Sequence, residues 1–205
     1  MQRHPAGGSA TATPAAPESG VVDEKATTII KAARATTTSR EQRATTVVWS
    51  ILDTYYADRK DLIKEVTYPL ADTGLMTTIP AARAPKGSEQ GKLWVSDDFL
   101  DHTTKRGFAR RVLQVGHELM HVEQHRQGMG GKKKAAEREF LAFAWEGTAA
   151  EVVGTGAMDP GTRLSLINEA IKQYKALDEV HQKRYKAQYD EVVKKKDALE
   201  AIEAN

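Results

Sequence analysis

The string His117-Glu118-Leu119-Met120-His121 carries residue types at a spacing that can do chemistry. On an α-helix, residues four apart lie on one face, about 6 Å apart along the axis. Two imidazoles placed so can converge on one divalent ion. The glutamate between them flanks that ion, where a carboxylate can take a proton from bound water. The H-E-x-x-H pattern therefore reads as a metal-dependent hydrolase, with His117 and His121 as ligands, Glu118 as general base and Zn²⁺ as the metal.

A hydrolytic zinc site needs a third protein ligand and a position left open for water. His125 does not qualify: donors at three successive turns spread over about 12 Å of axis, too far for one tetrahedral ion. It reads as a surface group or as a partner behind the ligands. A continuation with Gly three and His six residues after the second histidine also fails, because Gln124 and Gln127 stand there. A carboxylate from the next helix remains, drawn from Glu137, Glu139, Glu146 and Glu151. Glu139 and Glu146 are seven residues apart, hence on one face, in a stripe with Ala135, Ala142, Phe143, Ala149, Ala150 and Val153. Carboxylates in an apolar stripe are costly unless paired or metal-bound, and alanines let two helices approach closely. Glu139 is the favoured third ligand. Glu146 is the runner-up, or the partner that orients a ligating histidine. The competing reading gives both glutamates ordinary salt bridges to Lys or Arg.

The elements that must position these groups are legible in outline. A long helix is predicted from Asp101 to about Gln127, broken by Gly128-Met129-Gly130-Gly131. At 100° per residue Phe108, Val112, Val115, Leu119 and Val122 fall within about 80° of one another, and both histidines project from the far side. That suits a helix packed on a core with its histidines in a cleft; a merely solvated polar face is the alternative. The next helix is expected from about Lys133 to Val153. Upstream, helices are expected from Asp23 to about Ala35 and, after a Ser39/Gln42 capping box, to about Lys60. Residues 62–96 are punctuated by Pro and Gly and hold one or two short strands, at Ile63–Tyr68 and Lys92–Ser96. Pro160 can open a helix at its first turn, and the last 45 residues read as one long or two shorter amphipathic helices.

Composition bounds the rest. The chain contains no cysteine, which excludes disulfide scaffolds, thiolate metal sites and thiol nucleophiles. Lys plus Arg number 30 against 28 Asp plus Glu, and a net charge of +2 argues against a nucleic-acid-coating protein. No apolar run is long enough to span a membrane, and no Sec-type signal peptide is visible, which leaves a cytoplasmic location or export by another route. Residues 1–22 are rich in Ala, Pro and Gly and are expected to be a disordered tail. Residues 23–205 form one expected domain, mainly α with a small strand region (α+β), and a helical extension from about 160 to 205.

At these residues the chain resembles a family. H-E-x-x-H with a glutamate on a following helix is similar to the gluzincin arrangement of zinc metallopeptidases. The run Phe108–Val122, FARRVLQVGHELMHV, resembles zincin-like metallopeptidase domains found with bacterial extracellular contractile injection systems. Glu137-Arg-Glu-Phe-Leu-Ala-Phe143 and the Gly154-Thr-Gly run reaching Arg163 add to the likeness, which covers roughly residues 40–180. The resemblance implies a zincin-like fold and a peptidase acting on a protein or peptide, either injected cargo or a protease of the injection apparatus. It carries over His117, His121 and Glu118 directly, and Glu139 through the following helix. It also implies an edge strand before the metal helix that pairs with extended substrate, for which Lys92–Ser96 is in the right place. A catalytically inactive zincin-like binding module is the alternative function.

Overall fold

A computed structural model describes residues 22–69, 76–80, 90–149 and 154–203, and for 76–80 the backbone alone. The expected tail, Val22 apart, lies outside the described residues, as do Glu151 and Val153. The first two helices start where their caps dictate. Asp23 accepts the Ala26 N–H at the head of α1 (Glu24–Ala33), and Ser39 and Gln42 form a reciprocal capping box at the head of α2 (Arg40–Tyr55). A single 3₁₀ turn then leads into β1 (Ile63–Thr67), followed by β2 (Met76–Pro80) and β3 (Gly91–Val95).

The sheet has the order β1-β3-β2, with β1 parallel and β2 antiparallel to β3. This corrects the expected edge strand. Lys92–Val95 lies in the centre of the sheet and pairs on both sides, so it has no free backbone to offer a peptide. β2 is the antiparallel edge, and it packs beside the metal-motif helix. The expectation of one or two strands overlooked β2 because its run ends on Pro80, a residue that sheets admit at their edges.

The long helix also starts later than its periodicity suggests. Asp97–Asp101 forms a short separate helix, α3, closed by Thr103 Oγ1 donating to the Phe99 carbonyl at 2.7 Å. The chain then turns through residues 102–107 and enters α4 (Phe108–Arg126). After α4, Gly128 takes φ 77°, a left-handed conformation that releases the chain towards α5 (Ala135–Thr148). Asp159 caps α6 (Pro160–Lys175), with Pro160 in its first turn. Breaks near Asp178 and Tyr185 divide the remainder into α7 (Glu179–Arg184) and α8 (Lys186–Glu203), so the last 45 residues hold three helices. None of the described helices is long and apolar enough to cross a membrane.

Two larger hydrophobic cores result, with a small third cluster of Ala109, Leu113, Met158 and Leu166 joining α4 to α6. The first joins α1, α2, the sheet, α3 and the apolar stripe of α4; Phe108, Val112, Val115, Leu119 and Val122 are all at most 1% exposed there. Burying each of those side chains contributes about 1.5–3 kcal/mol. The second joins α5, α6 and α8 around Phe140, Ile167 and Val192. Helices α4 and α5 face each other across the seam between these cores. Close approach at the seam needs Gly116: a Cβ there would stand 2.3 Å from the Trp145 ring and 2.5 Å from the Tyr56 hydroxyl. That hydroxyl also donates to the Val112 carbonyl at 2.9 Å, tying α2 to α4.

Candidate metal centre

The histidine-bearing face of α4 is not solvated. His117 and Glu118 are 7% and 6% exposed, so the reading of a plain polar face gives way to one of buried functional groups, with the histidines facing α5. One helical turn sets His117 above His121, with ring centroids 4.7 Å apart and planes at 86°. From α5, Glu139 reaches both. Its carboxylate oxygens lie 3.7 Å from His117 Nε2 and 3.4 Å from His121 Nε2. One donor atom from each of the three residues falls within 4.8 Å of the others.

These separations carry information. They are longer than hydrogen bonds, which run at about 2.7–3.2 Å. Two donors each bound at about 2.0–2.2 Å to one tetrahedral ion stand about 3.3–3.6 Å apart. The His121–Glu139 distance of 3.4 Å falls in that span, while His117–Glu139 at 3.7 Å and the widest separation, up to 4.8 Å, need a small closing of the site. Two imidazoles and a carboxylate are also a donor set that suits a divalent transition metal. The residues present therefore fit an ion of that kind.

What lies behind the donors fits as well. His117 Nδ1 donates to Glu146 Oε2 at 3.0 Å, and His121 Nδ1 donates to Gln124 Oε1 at 2.9 Å. With both Nδ1 atoms occupied in this way, both Nε2 lone pairs are left for the shared point near Glu139. Glu146 is only 1% exposed and is compensated on its other side by an ion pair with Arg110, two turns before His117 on α4. Gln124 in turn donates to the Arg138 carbonyl at 3.2 Å, so His121 is braced by the backbone of α5 beside Glu139. Phe143 stands edge-on to the His117 ring at 4.8 Å and closes one side.

The electrostatics follow from this packing. Burial by itself would raise the Glu139 carboxyl, but the two imidazoles override it and hold the group well below the usual carboxylate range. Burial would likewise lower His121; Glu139, the charge of Glu118 and the bond to Gln124 outweigh it and raise the imidazole above its ordinary value. Glu118 thus stands buried beside the pair, close enough to act on His121 through its field.

The structure therefore brings together His117, His121 and Glu139, with Glu146 behind His117. Glu137 faces the other way, towards α7 and Tyr185 at its end. His125 is half-buried one turn beyond His121 and is not in the cluster. Tyr68, His102 and Arg163, side chains that could donate to a developing oxyanion, are engaged elsewhere, with Asp97, Asp98 and the Ala149 carbonyl. The sequence reading missed Gln124 and Arg110. Both lie on the histidine face of α4, at three residues after His121 and seven before His117, so helical spacing was the available signal. Among known protein families, curated proteins and solved structures, none matches this chain.

Proposed function

We propose that this chain is a zinc-dependent peptidase of zincin-like fold, in which His117, His121 and Glu139 hold the ion and Glu118 is the general base. The observation that carries the reading is the convergence of the three donors within 4.8 Å beside a buried glutamate. A bound divalent ion supplies Lewis acidity and lowers the pKa of water towards about 7. Glu118 accepts the proton of the attacking water and delivers it to the departing amide nitrogen, so the C–N bond breaks with no net proton uptake at the carboxylate. Glu146 and Gln124 hold the two rings in one tautomer throughout.

The antiparallel edge strand β2 supports a peptide substrate. It packs beside α4, and its outer edge pairs with no strand among the described residues. An extended peptide added there would be held by backbone hydrogen bonds, which suits hydrolysis directed at the main chain. The likeness of residues 108–122 to injection-system peptidase domains supports a role as delivered cargo or as a protease of such an apparatus, with a protein or peptide as substrate.

Metal analysis of the purified chain, paired with a peptide-library cleavage profile, tests this. We expect one zinc per chain and cleavage that Glu118→Gln lowers at least about a hundredfold with metal retained. A chain purified without stoichiometric metal and unable to take it up ends the proposal. Unchanged turnover in Glu118→Gln removes that residue from the mechanism.

A further inference from the structure

We propose that a cationic cleft between α1, the 102–107 turn and the start of α4 binds a small, multiply charged organic anion. The cleft consists of two adjoining cavities of about 600 and 290 Å³ that share Thr104 and Arg106 as lining. Lys31, Arg34 and Lys105 line the larger with Arg106, and Arg111 lines the smaller. Among the described residues none of these five cations makes an ion pair. Gathering like charges in one depression of a chain with net charge +2 is unfavourable without a counter-charge.

Three further features make this a built site. Arg111 is 5% exposed; it donates to Gln114 Oε1 at 2.7 Å and lies over the Phe99 ring, yet its Nε has no hydrogen-bond partner. Burial pushes this guanidinium down only to about 10, so it stays charged at neutral pH. A buried, charged guanidinium in a cavity wall is costly where its charge is met only by the field of Asp98, and an anion in the cavity would add a counter-charge. Next, α4 begins on Gly107 with no side-chain cap, so the positive end of a 19-residue helix opens on the same cavity. Finally, the other ionisable side chains in the wall already have partners, and only the Asp159 carboxylate keeps an unpaired charge there. Asp159 caps its own helix through Thr162, His102 pairs with Asp98, and Arg110 pairs with Glu146. Ile30 and Met158 add apolar wall, which favours an organic body on the anion over a bare ion.

Calorimetric titration of the full chain with phenyl phosphate and with phthalate, two aromatic dianions, tests the site at physiological ionic strength. The reading is independent of the metal centre. Saturable binding of either probe is expected, and tighter binding of one identifies phosphate or carboxylate as the recognised group. The double variant Lys105→Gln/Arg106→Gln changes two exposed side chains and should weaken binding at least about tenfold, the scale of one charge-assisted contact. Lys132→Gln/Lys133→Gln removes the same charge from an exposed turn elsewhere and should leave binding within about twofold. Arg111→Gln, checked by thermal melting, should weaken it further where the variant folds. No saturable heat with either probe, or equal weakening in the two double variants, overturns the proposal.

Discussion

Of the three glutamates on helix α5, all set against histidine, Glu137 and Glu139 have settings that differ in kind. Glu139 faces α4. Its oxygens stand 3.4 and 3.7 Å from two imidazole nitrogens, and its side chain is one-third exposed. Glu137 faces α7 and Tyr185 at its end, and is closed in. Tyr185 donates to it at 2.5 Å, with Arg184 and His181 at 3.8 Å. At Glu137 the carboxylate is satisfied by the Tyr185 hydroxyl, with Arg184 and His181 flanking it, and no lone pairs converge on a common point. At Glu139 the neighbouring nitrogens are themselves held by other acceptors through Nδ1, so their lone pairs and the carboxylate are aimed at one place. The difference lies in what stands behind the histidines. Glu146 and Gln124 fix the imidazoles at the first site, whereas His181 Nδ1 at the second contacts Asp178 in its own helix cap.

Metal affinity separates the two sites most sharply. Glu139→Ala should lower zinc affinity more than about a hundredfold, beyond the 10–100-fold typical of residues that only orient a ligand. Glu137→Ala should leave it within about twofold, as read by competition with a chromophoric chelator. Equal losses would dissolve the comparison. Glu146→Gln comes next: it removes the charge behind His117 and should lower affinity about 10–100-fold. Gln124→Ala should cost about tenfold, at the lower end of the same range, because a neutral acceptor polarises His121 less.

How far this arrangement was legible depends on how local each cause is. The capping box at Ser39 and Gln42, the start at Asp159-Pro160 and the apolar stripe of α4 are dictated by residues within a turn or two, and they stand as read. Glu139 was legible because helical spacing separates it from Glu137 once α5 is assumed to face α4. The Arg110–Glu146 pair was not, since it depends on the register of two helices against each other. That register is set by Gly116 admitting Trp145, a contact between residues 29 positions apart in the chain. The sheet order was hidden for a related reason. β2 and β3 pair over an intervening stretch, and nothing in the alternation of Lys92–Val95 tells a central strand from an edge.

The smallest effects test the closed site. Glu137→Ala removes the acceptor of Tyr185 and the partner of Arg184 and His181, so stability should fall by about 1–2 kcal/mol in urea unfolding. The low end of the range for buried polar groups applies because Tyr185 is only half-buried and can turn to water. Glu137→Gln keeps a carbonyl oxygen for the Tyr185 hydroxyl and loses only the charge. Arg184, 65% exposed, loses little with it, so the amide variant should cost well under about 1 kcal/mol. A loss as large as that of the alanine variant would show that the charge, and not the hydroxyl contact, anchors α7 to α5. The contrast with Glu139 would then be one of degree, since Glu137 too would act through its charge.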